Sequence, residues 1–403
     1  VNSLSFLRKA EGPSIFLCIF VAMNQDNLLI GFDAKRIVAN GTGLGSYGRN
    51  LINGLTLTDT PCRLRLYAPD EGREDLRSQV MPAPNLEWSF SGRSTRLGKD
   101  LWRAGGMVDD LKRDGVAIFH GLSGELPKGL RRAGIQGVVT IHDLIFMRHP
   151  EFYHRLDAWL YRRKFYRTLR EADRIIAISE CTKRDILYYC DYPEDRIDVV
   201  YQSCDRRFAQ PVTEEKKLEV KRKYGLPDRF VLNVGTIERR KNVKLAVEAL
   251  PQLPSDLHLV VVGRATPYAK EVAACAEAKG VEARVHLLHG VPNDDLIAIY
   301  RLASCFVYPS VYEGFGIPII EAIQSGLPVV AATGSCLEEA GGPDCLYVSP
   351  DDAPEMASAI LKAIDERDQR VERAREYVRK FENNNVAQQV LQVYRKLHSV
   401  FLY

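Results

Sequence analysis

Twelve short apolar, β-branched runs recur along the 403-residue chain, with stretches of helical periodicity between them. The first six are Leu28–Asp33, Leu64–Ala68, Val116–His120, Val138–His142, Ile175–Ser179 and Ile197–Tyr201. After a charged, Pro-containing stretch they resume at Phe230–Gly235, Leu257–Gly263, Arg284–Leu288, Cys305–Tyr308, Val329–Ala332 and Leu346–Val348. Most are nearly continuous in Val, Ile and Leu, the pattern of strands buried on both faces. Helical patterns at Gly45–Leu55, Asn242–Leu250, Asp295–Leu302 and Pro318–Ser325 separate some of them. Strand–helix alternation predicts parallel sheets covered by helices on both faces.

Six runs on either side of one break predict two doubly wound, Rossmann-like α/β domains, as the length also favours. The break is expected at Gln210–Lys217, where Pro211 and the run EEKK read as a solvated linker. The domains are then residues 24–210 and 211–403, with 1–23 as an N-terminal extension. Within that extension, Ile15–Met23 is too short to span a bilayer, and no A-x-A site marks a signal peptide. Ala353–Asp368 and Arg370–Leu397 read as terminal helices, interrupted at Asn383–Asn385.

Charge narrows the function classes. Lys and Arg number 55 against 52 acids, and so small an excess gives no support to nucleic-acid binding over a broad basic surface. The nine cysteines include no CxxC pair, so neither zinc spacing nor a disulfide framework is indicated. Reduced thiols in a cytoplasm are the expectation.

In open α/β sheets ligands sit beyond the carboxyl ends of the strands, and with two sheets the expected site is the cleft between the domains. Motifs do follow strands in both halves. The most specific is Tyr308-Pro-Ser-Val-Tyr-Glu-Gly-Phe-Gly-Ile-Pro-Ile-Ile-Glu321. A strand leads into a Gly-rich loop, Pro318 suits a first helical position, and Gly326 with Pro328 stops the helix. Its N-terminus offers free N–H groups to a phosphate. Glu313 and Glu321 flank that point. Like charges make them poor phosphate ligands, so they suit the hydroxyls of a nucleotide carrying polyhydroxylated groups at both ends. Taken singly, Glu321 also reads as a helix-dipole residue and Glu313 as a solvated loop charge.

Three further strings accompany it. Val234-Gly-Thr-Ile-Glu-Arg-Arg-Lys-Asn242 sets Arg240 and Lys241 at a helix entrance, with Asn242 as the expected N-cap. Two cations there can meet a diphosphate, although a solvated basic turn has the same composition. Asn40-Gly-Thr-Gly-Leu-Gly-Ser-Tyr-Gly-Arg-Asn50 contains G-x-G-x-x-G at Gly43, Gly45 and Gly48. A dinucleotide fingerprint follows its strand directly, whereas about nine residues intervene here. Thr140-Ile-His-Asp-Leu144 places His142 at a strand's carboxyl end, where a core histidine is the alternative.

The Glu313–Glu321 string resembles the E-x7-E signature of retaining glycosyltransferases of family 4, which have the GT-B fold of two Rossmann-like domains facing a cleft. The resemblance runs from about Leu28 onward. It implies that Glu313 contacts the donor sugar and Glu321 the nucleotide ribose. Backbone around Phe315, Gly316 and Ile317 would meet the sugar or diphosphate, and Arg240 and Lys241 the donor phosphates. It further implies that His142 bonds the donor's reactive region, so His142, Glu313 and Lys241 form the catalytic set, with Asp143 as an orienting partner. The family's first loop matches Gly43, Gly45 and Tyr47, where glycines admit the donor diphosphate or the acceptor. Tyr47, His120 and Ser179 are acceptor-side candidates, and for His120 and Ser179 a structural role stands equally. Glu339 matches a recurring acidic position read as structural. Many relatives carry an Arg where Thr236 stands, which leaves the phosphate clamp one cation short.

The function expected is therefore retaining, metal-independent glycosyl transfer from a nucleotide sugar to a glycan or lipid-linked acceptor. No cofactor is expected, and no Asp-x-Asp metal motif lies beside the donor site. GDP-mannose is the first expectation for the donor, because these strings resemble bacterial mannosyltransferases of polysaccharide biosynthesis. An NAD-dependent oxidoreductase and a non-catalytic sugar-nucleotide-binding protein are the alternatives. Separately, Arg155–Arg170 predicts a helix whose basic face carries Trp159 and Tyr166, with Ala158, Tyr161, Phe165 and Leu169 opposite. That face suits an anionic membrane, which would place a cytoplasmic enzyme peripherally at the inner membrane face.

Overall fold

The computed structural model describes residues 28–58 and 62–398. The expected N-terminal extension, 1–23, lies outside the described residues. Seven strands form the first sheet: β1 (Leu29–Asp33), β2 (Arg63–Ala68), β3 (Leu86–Phe90), β4 (Ile118–Gly121), β5 (Gln136–Ile141), β6 (Arg174–Ala177) and β7 (Ile197–Val199). Their order is β3-β2-β1-β4-β5-β6-β7. Six form the second: β8 (Arg229–Val234), β9 (Leu257–Val262), β10 (Val285–Leu288), β11 (Cys305–Tyr308), β12 (Val329–Ala332) and β13 (Leu346–Val348), in the order β10-β9-β8-β11-β12-β13. β1 pairs in parallel with β2 and β4, and β8 with β9 and β11, so each sheet reverses its winding beside its first strand. Those switch points are where doubly wound folds bind ligands.

The continuous apolar runs are explained by burial on both sides. Val231, Leu259, Val261 and Val307 pack on one face of the second sheet, and Leu232, Val260 and Phe306 on the other. Each such side chain contributes roughly 1.5–3 kcal/mol when fully buried. β3 was not expected. Its sequence, Leu-Glu-Trp-Ser-Phe, alternates apolar and polar residues because it is an edge strand with side chains partly exposed.

The helices that bear on the site are α1 (Gly43–Thr56), α2 (Arg155–Glu171), α3 (Glu180–Tyr189), α4 (Asn293–Leu302), α5 (Ile317–Gln324), α6 (Arg367–Val378) and α7 (Asn383–His398). The run expected as a linker instead opens a helix, Glu214–Tyr224. The Thr213 side chain accepts from the Lys216 N–H, acids fill the first turn, bases fill the last, and Gly225 closes it in a left-handed conformation. The terminal helices break at Arg379–Phe381, so Asn383 begins α7 rather than interrupting a helix.

By internal packing the chain forms two compact units. Among the described residues, one takes in those up to Thr140, Phe165–Ile175 and those from Leu391; the other takes in Ile141–Lys164 and Ile176–Val390. Among the described residues no helix is long and apolar enough to cross a membrane.

Candidate active site

The second unit holds His142, Ser179, Arg240, Lys241, Glu313, Phe315, Gly316, Ile317 and Glu321 together. Beyond β8 the chain makes a tight 3-10 turn at Arg239–Lys241. Asn242 leaves that turn at φ 52°. It occupies the N-cap position of helix Val243–Ala249 but makes no capping bond, and its side chain donates to the Pro350 carbonyl at 2.8 Å instead. The expected cap is thus an anchor that fixes the turn and the two cations before it.

Those cations converge on Glu313. The Lys241 ammonium bonds Glu313 Oε1, and Arg240 Nη1 lies 2.7 Å from Oε2. Arg240 also donates to the Tyr312 carbonyl at 2.7 Å and to Glu238 at 2.8 Å. Lys241 also donates to the Tyr308 hydroxyl at 2.6 Å. Burial alone would raise the Glu313 carboxyl, but the attraction of Lys241 and Arg240 holds it at about 2. Burial lowers the Lys241 pKa against the pull of Glu313. Glu313 is 8% exposed, so it is no solvated loop charge but an internal counter-ion.

The loop around Glu313 is pinned on several sides. Cys336 Sγ lies 3.1 Å from the Glu313 carbonyl and 2.8 Å from the Phe315 carbonyl, which share its one S–H. Gly314 lies against the main chain of His142, and a Cβ there would sit 1.9 Å from the His142 carbonyl oxygen. Gly316, at φ 133°, turns the chain into α5, whose first turn contains Pro318. Phe315 is buried and stacks on Tyr201. One turn into α5, Glu321 accepts from the Tyr300 hydroxyl at 2.8 Å. Burial raises its carboxyl to about 7, with Tyr300 opposing the shift.

His142 is oriented by a residue that the motifs did not reveal. Gln202 Nε2 lies 2.7 Å from His142 Nδ1. With the amide as donor, the neutral ring carries its proton on Nε2. Asp143, the expected orienting partner, accepts from the Ile145 N–H in a local turn. The available signal was positional, since Gln202 lies just past the carboxyl end of β7.

Ser179 is fully buried. It caps α3 by accepting from the Thr182 N–H and donates to the Gly314 carbonyl at 2.8 Å, so it positions the Glu313 loop. Glu339 accepts the N–H groups of Glu180 and Cys181 at 2.7 and 2.8 Å, a structural role as expected.

The first unit holds the other candidates. His120 is fully buried with both ring nitrogens engaged, by Tyr394 at 2.6 Å and Thr140 at 2.8 Å. Tyr47 joins the same chain through Thr140 at 3.0 Å. For His120 and Ser179 the structure favours the structural reading, and Tyr47 is likewise a core residue here rather than an open acceptor contact. Gly45 is demanded by packing, because a Cβ would lie 1.8 Å from the Asn40 carbonyl oxygen. Gly43 is open at the N-terminus of α1, with nothing within 4 Å of a Cβ placed there. A short helix, Lys35–Ala39, separates β1 from this loop, so it is not the strand-to-glycine turn of a dinucleotide site.

Comparison with known families identifies the chain's family. Residues 42–207 match the model of Glycosyltransferase Family 4, and residues 215–381 match Glycosyl transferases group 1. The chain belongs to these glycosyltransferases. This glycosyltransferase is 31% identical over 289 residues to the O-antigen chain mannosyltransferase B of Escherichia coli, covering 70% of this chain and 74% of that one. It is 32% identical over 237 residues to the serotype-specific mannosyltransferase WbdA of the same species, covering 56% of this chain and 29% of that longer protein. Among solved structures, sucrose-phosphate synthase from Thermosynechococcus elongatus superposes with a TM-score of 0.74 at 21% identity, over 93% of this chain and all of that one. Anabaena HepE in complex with UDP and glucose gives 0.71 at 18%, over 92% of this chain and 99% of its own. The fold is GT-B.

Proposed function

We propose that this glycosyltransferase transfers a hexose, with retention and without a metal, from a nucleotide sugar to a hydroxyl of a glycan or lipid-linked acceptor. The carrying observation is the pair Arg240 and Lys241, held on one carboxylate beside the N-terminus of α5. Fixed cations and free helix N–H groups form a receptor for a diphosphate. Their stabilisation grows as the leaving diphosphate gains charge, which is the condition for catalysis rather than mere binding.

In this proposal the donor diphosphate takes over Arg240 and Lys241 from Glu313, whose carboxylate turns to a sugar hydroxyl. Glu321 accepts from the ribose. His142, carrying its proton on Nε2, bonds the sugar near the reacting carbon. The acceptor hydroxyl attacks the anomeric carbon from the face that the diphosphate leaves, and its proton passes to the departing phosphate oxygen.

Mannose from GDP-mannose is the proposed donor, supported by the names of the two mannosyltransferase relatives. A polysaccharide precursor is the proposed acceptor on the same support. A lipid-linked acceptor would bring the enzyme to a membrane, and the proposed contact is the first half of α2. Trp159 is exposed there beside Arg155, Arg162 and Arg163, together with Leu156, Leu160 and Tyr161. The expected two-faced helix is corrected at Tyr161, which is exposed, and at Tyr166, which is half-buried. Only Phe165 and Thr168 of α2 are fully buried.

A thermal-shift screen of GDP-, UDP-, ADP- and dTDP-sugars tests the donor. A ligand at about 100 times its dissociation constant stabilises by about 2.7 kcal/mol. Stabilisation by GDP-mannose and release of GDP on transfer are expected. Stabilisation by another donor alone would move the assignment to that sugar, and no response to any donor would remove the reading.

A further inference from the structure

Three arginines meet at the end of α5 opposite the donor motif. Arg301, near the end of α4, donates through Nη2 to the carbonyls of Phe208 (3.0 Å) and Gln210 (2.8 Å). Arg367, the first residue of α6, donates to the Gly326 carbonyl at 2.9 Å. Arg375, two turns further along α6, donates to the carbonyls of Ile323 and Gln324, each at 3.3 Å. Among the described residues none of the three has a carboxylate within ion-pair distance.

Two of these guanidiniums close over one glycine. A Cβ on Gly326, at φ 84°, would lie 2.8 Å from Arg375 Nη2 and 3.9 Å from Arg301 Nη1. Like charges held this near repel unless an anion joins them. Each guanidinium carries five N–H donors, and the backbone carbonyls take only part of that supply. Arg301 Nε is buried with no partner.

The arginines line a concavity of about 880 Å³ that Lys217 also enters. A neighbouring hollow of about 460 Å³ shares Arg301, Arg375 and Arg379. Acids are present on the wall as Asp368, Glu372 and Glu376. Glu376 is bound to Arg379 at 2.7 Å, while Lys217 is bound to Glu214 at 2.7 Å. Asp368 and Glu372 form no ion pair among the described residues, but the six cations of the lining (Lys217, Arg301, Arg367, Arg373, Arg375 and Arg379) outnumber its three acids, and those without an ion pair of their own are Arg301, Arg367 and Arg375.

We propose that this concavity is a second anion site, which takes a small phosphorylated molecule by its phosphate or diphosphate on Arg301 and Arg375. Paired planar forks match phosphate oxygens in geometry, and the hollow is of small-molecule size. The site does not depend on the donor assignment, because it shares no residue with Arg240, Lys241 or Glu313.

Inorganic pyrophosphate is the probe, titrated calorimetrically into the full chain and into its variants. Arg375→Gln should weaken one binding component at least tenfold and leave nucleotide-sugar turnover unchanged. Lys241→Ala should leave that component in place, which separates it from the donor site. Arg301→Gln should weaken it similarly, but Arg301 also holds the carbonyls of Phe208 and Gln210, so its thermal midpoint is checked. Arg375 is exposed, so its variant tests the site even if Arg301→Gln misfolds. Wild-type pyrophosphate binding in Arg375→Gln, or no component that survives Lys241→Ala, would overturn the proposal.

Discussion

Glu313→Gln separates two roles that one carboxylate holds. In the structure Glu313 is the buried counter-ion of Arg240 and Lys241. Holding its carboxyl at about 2 instead of the ordinary 4.5 corresponds to roughly 3 kcal/mol, at 1.36 kcal/mol per tenfold. Removing one partner of a buried pair costs about as much, because the other charges are left uncompensated. From the sequence this substitution reads as harmless to the fold, and the burial of Glu313 reverses that expectation. The ligand-free variant should melt lower, by about 6–12 °C if the second unit unfolds cooperatively. A nucleoside diphosphate should restore most of the loss, since its phosphates supply the missing anion. Its affinity should rise by as much as about a hundredfold, while transfer falls by about 10²–10³ because the sugar loses a charged partner. Thermal scans with and without GDP, calorimetry of GDP binding and single-turnover transfer check all three. An unchanged ligand-free midpoint, or GDP binding that weakens in step with transfer, would refute the reasoning.

Lys241→Ala should weaken diphosphate binding and lower kcat as well, because leaving-group charge grows towards the transition state; calorimetry with unchanged diphosphate affinity would deny the phosphate role. Glu321, with its carboxyl raised to about 7 by burial, accepts hydroxyl protons best as the anion, so nucleotide affinity should climb as pH rises through 7, and Glu321→Gln should flatten the profile. For folding the sign is opposite: this group favours the folded state most below its ordinary 4.5, and that contribution disappears as pH rises through 7. Transfer should survive EDTA, and loss restored by magnesium or manganese would reveal a metal role. Replacing Arg155, Arg162 and Arg163 by Gln should reduce flotation with anionic vesicles at low salt without moving the thermal midpoint much; equal lack of binding in both proteins would end the membrane reading.

Strands and loop motifs were legible for a physical reason. A central parallel strand is apolar on both faces, so its sequence is a nearly continuous run; twelve of the thirteen strands contain one of the twelve runs, the edge strands β7, β10 and β13 among them. The edge strand β3 has a half-polar code and was invisible. The grouping of His142 with Glu313 rests on Gly314, whose missing side chain lets the His142 carbonyl approach, and periodicity carries no trace of such a contact. Nor could spacing distinguish His120 and Tyr47, at a strand end and in a Gly-rich loop, from open site residues. Their hydroxyl and imidazole groups are engaged by Thr140 and Tyr394, partners 20 to 274 residues away. Gln202 was missed because a lone glutamine after a short strand has no motif around it.

The same long-range bonding explains how the proposed donor site holds two cations side by side. Two buried cations without an anion would repel each other and lack the water that solvates them elsewhere. Glu313 supplies the anion from a loop whose carbonyls are tied to Cys336, Ser179 and Arg240, so the carboxylate is delivered to a fixed place. In the proposed reaction a diphosphate takes the place of Glu313, so one anion replaces another and the local charge stays nearly balanced. Binding energy of the diphosphate is then the difference between two compensated states, which favours release of the product. A site with bare cations would hold the nucleoside diphosphate more tightly and turn over more slowly, and that is the behaviour assigned above to Glu313→Gln.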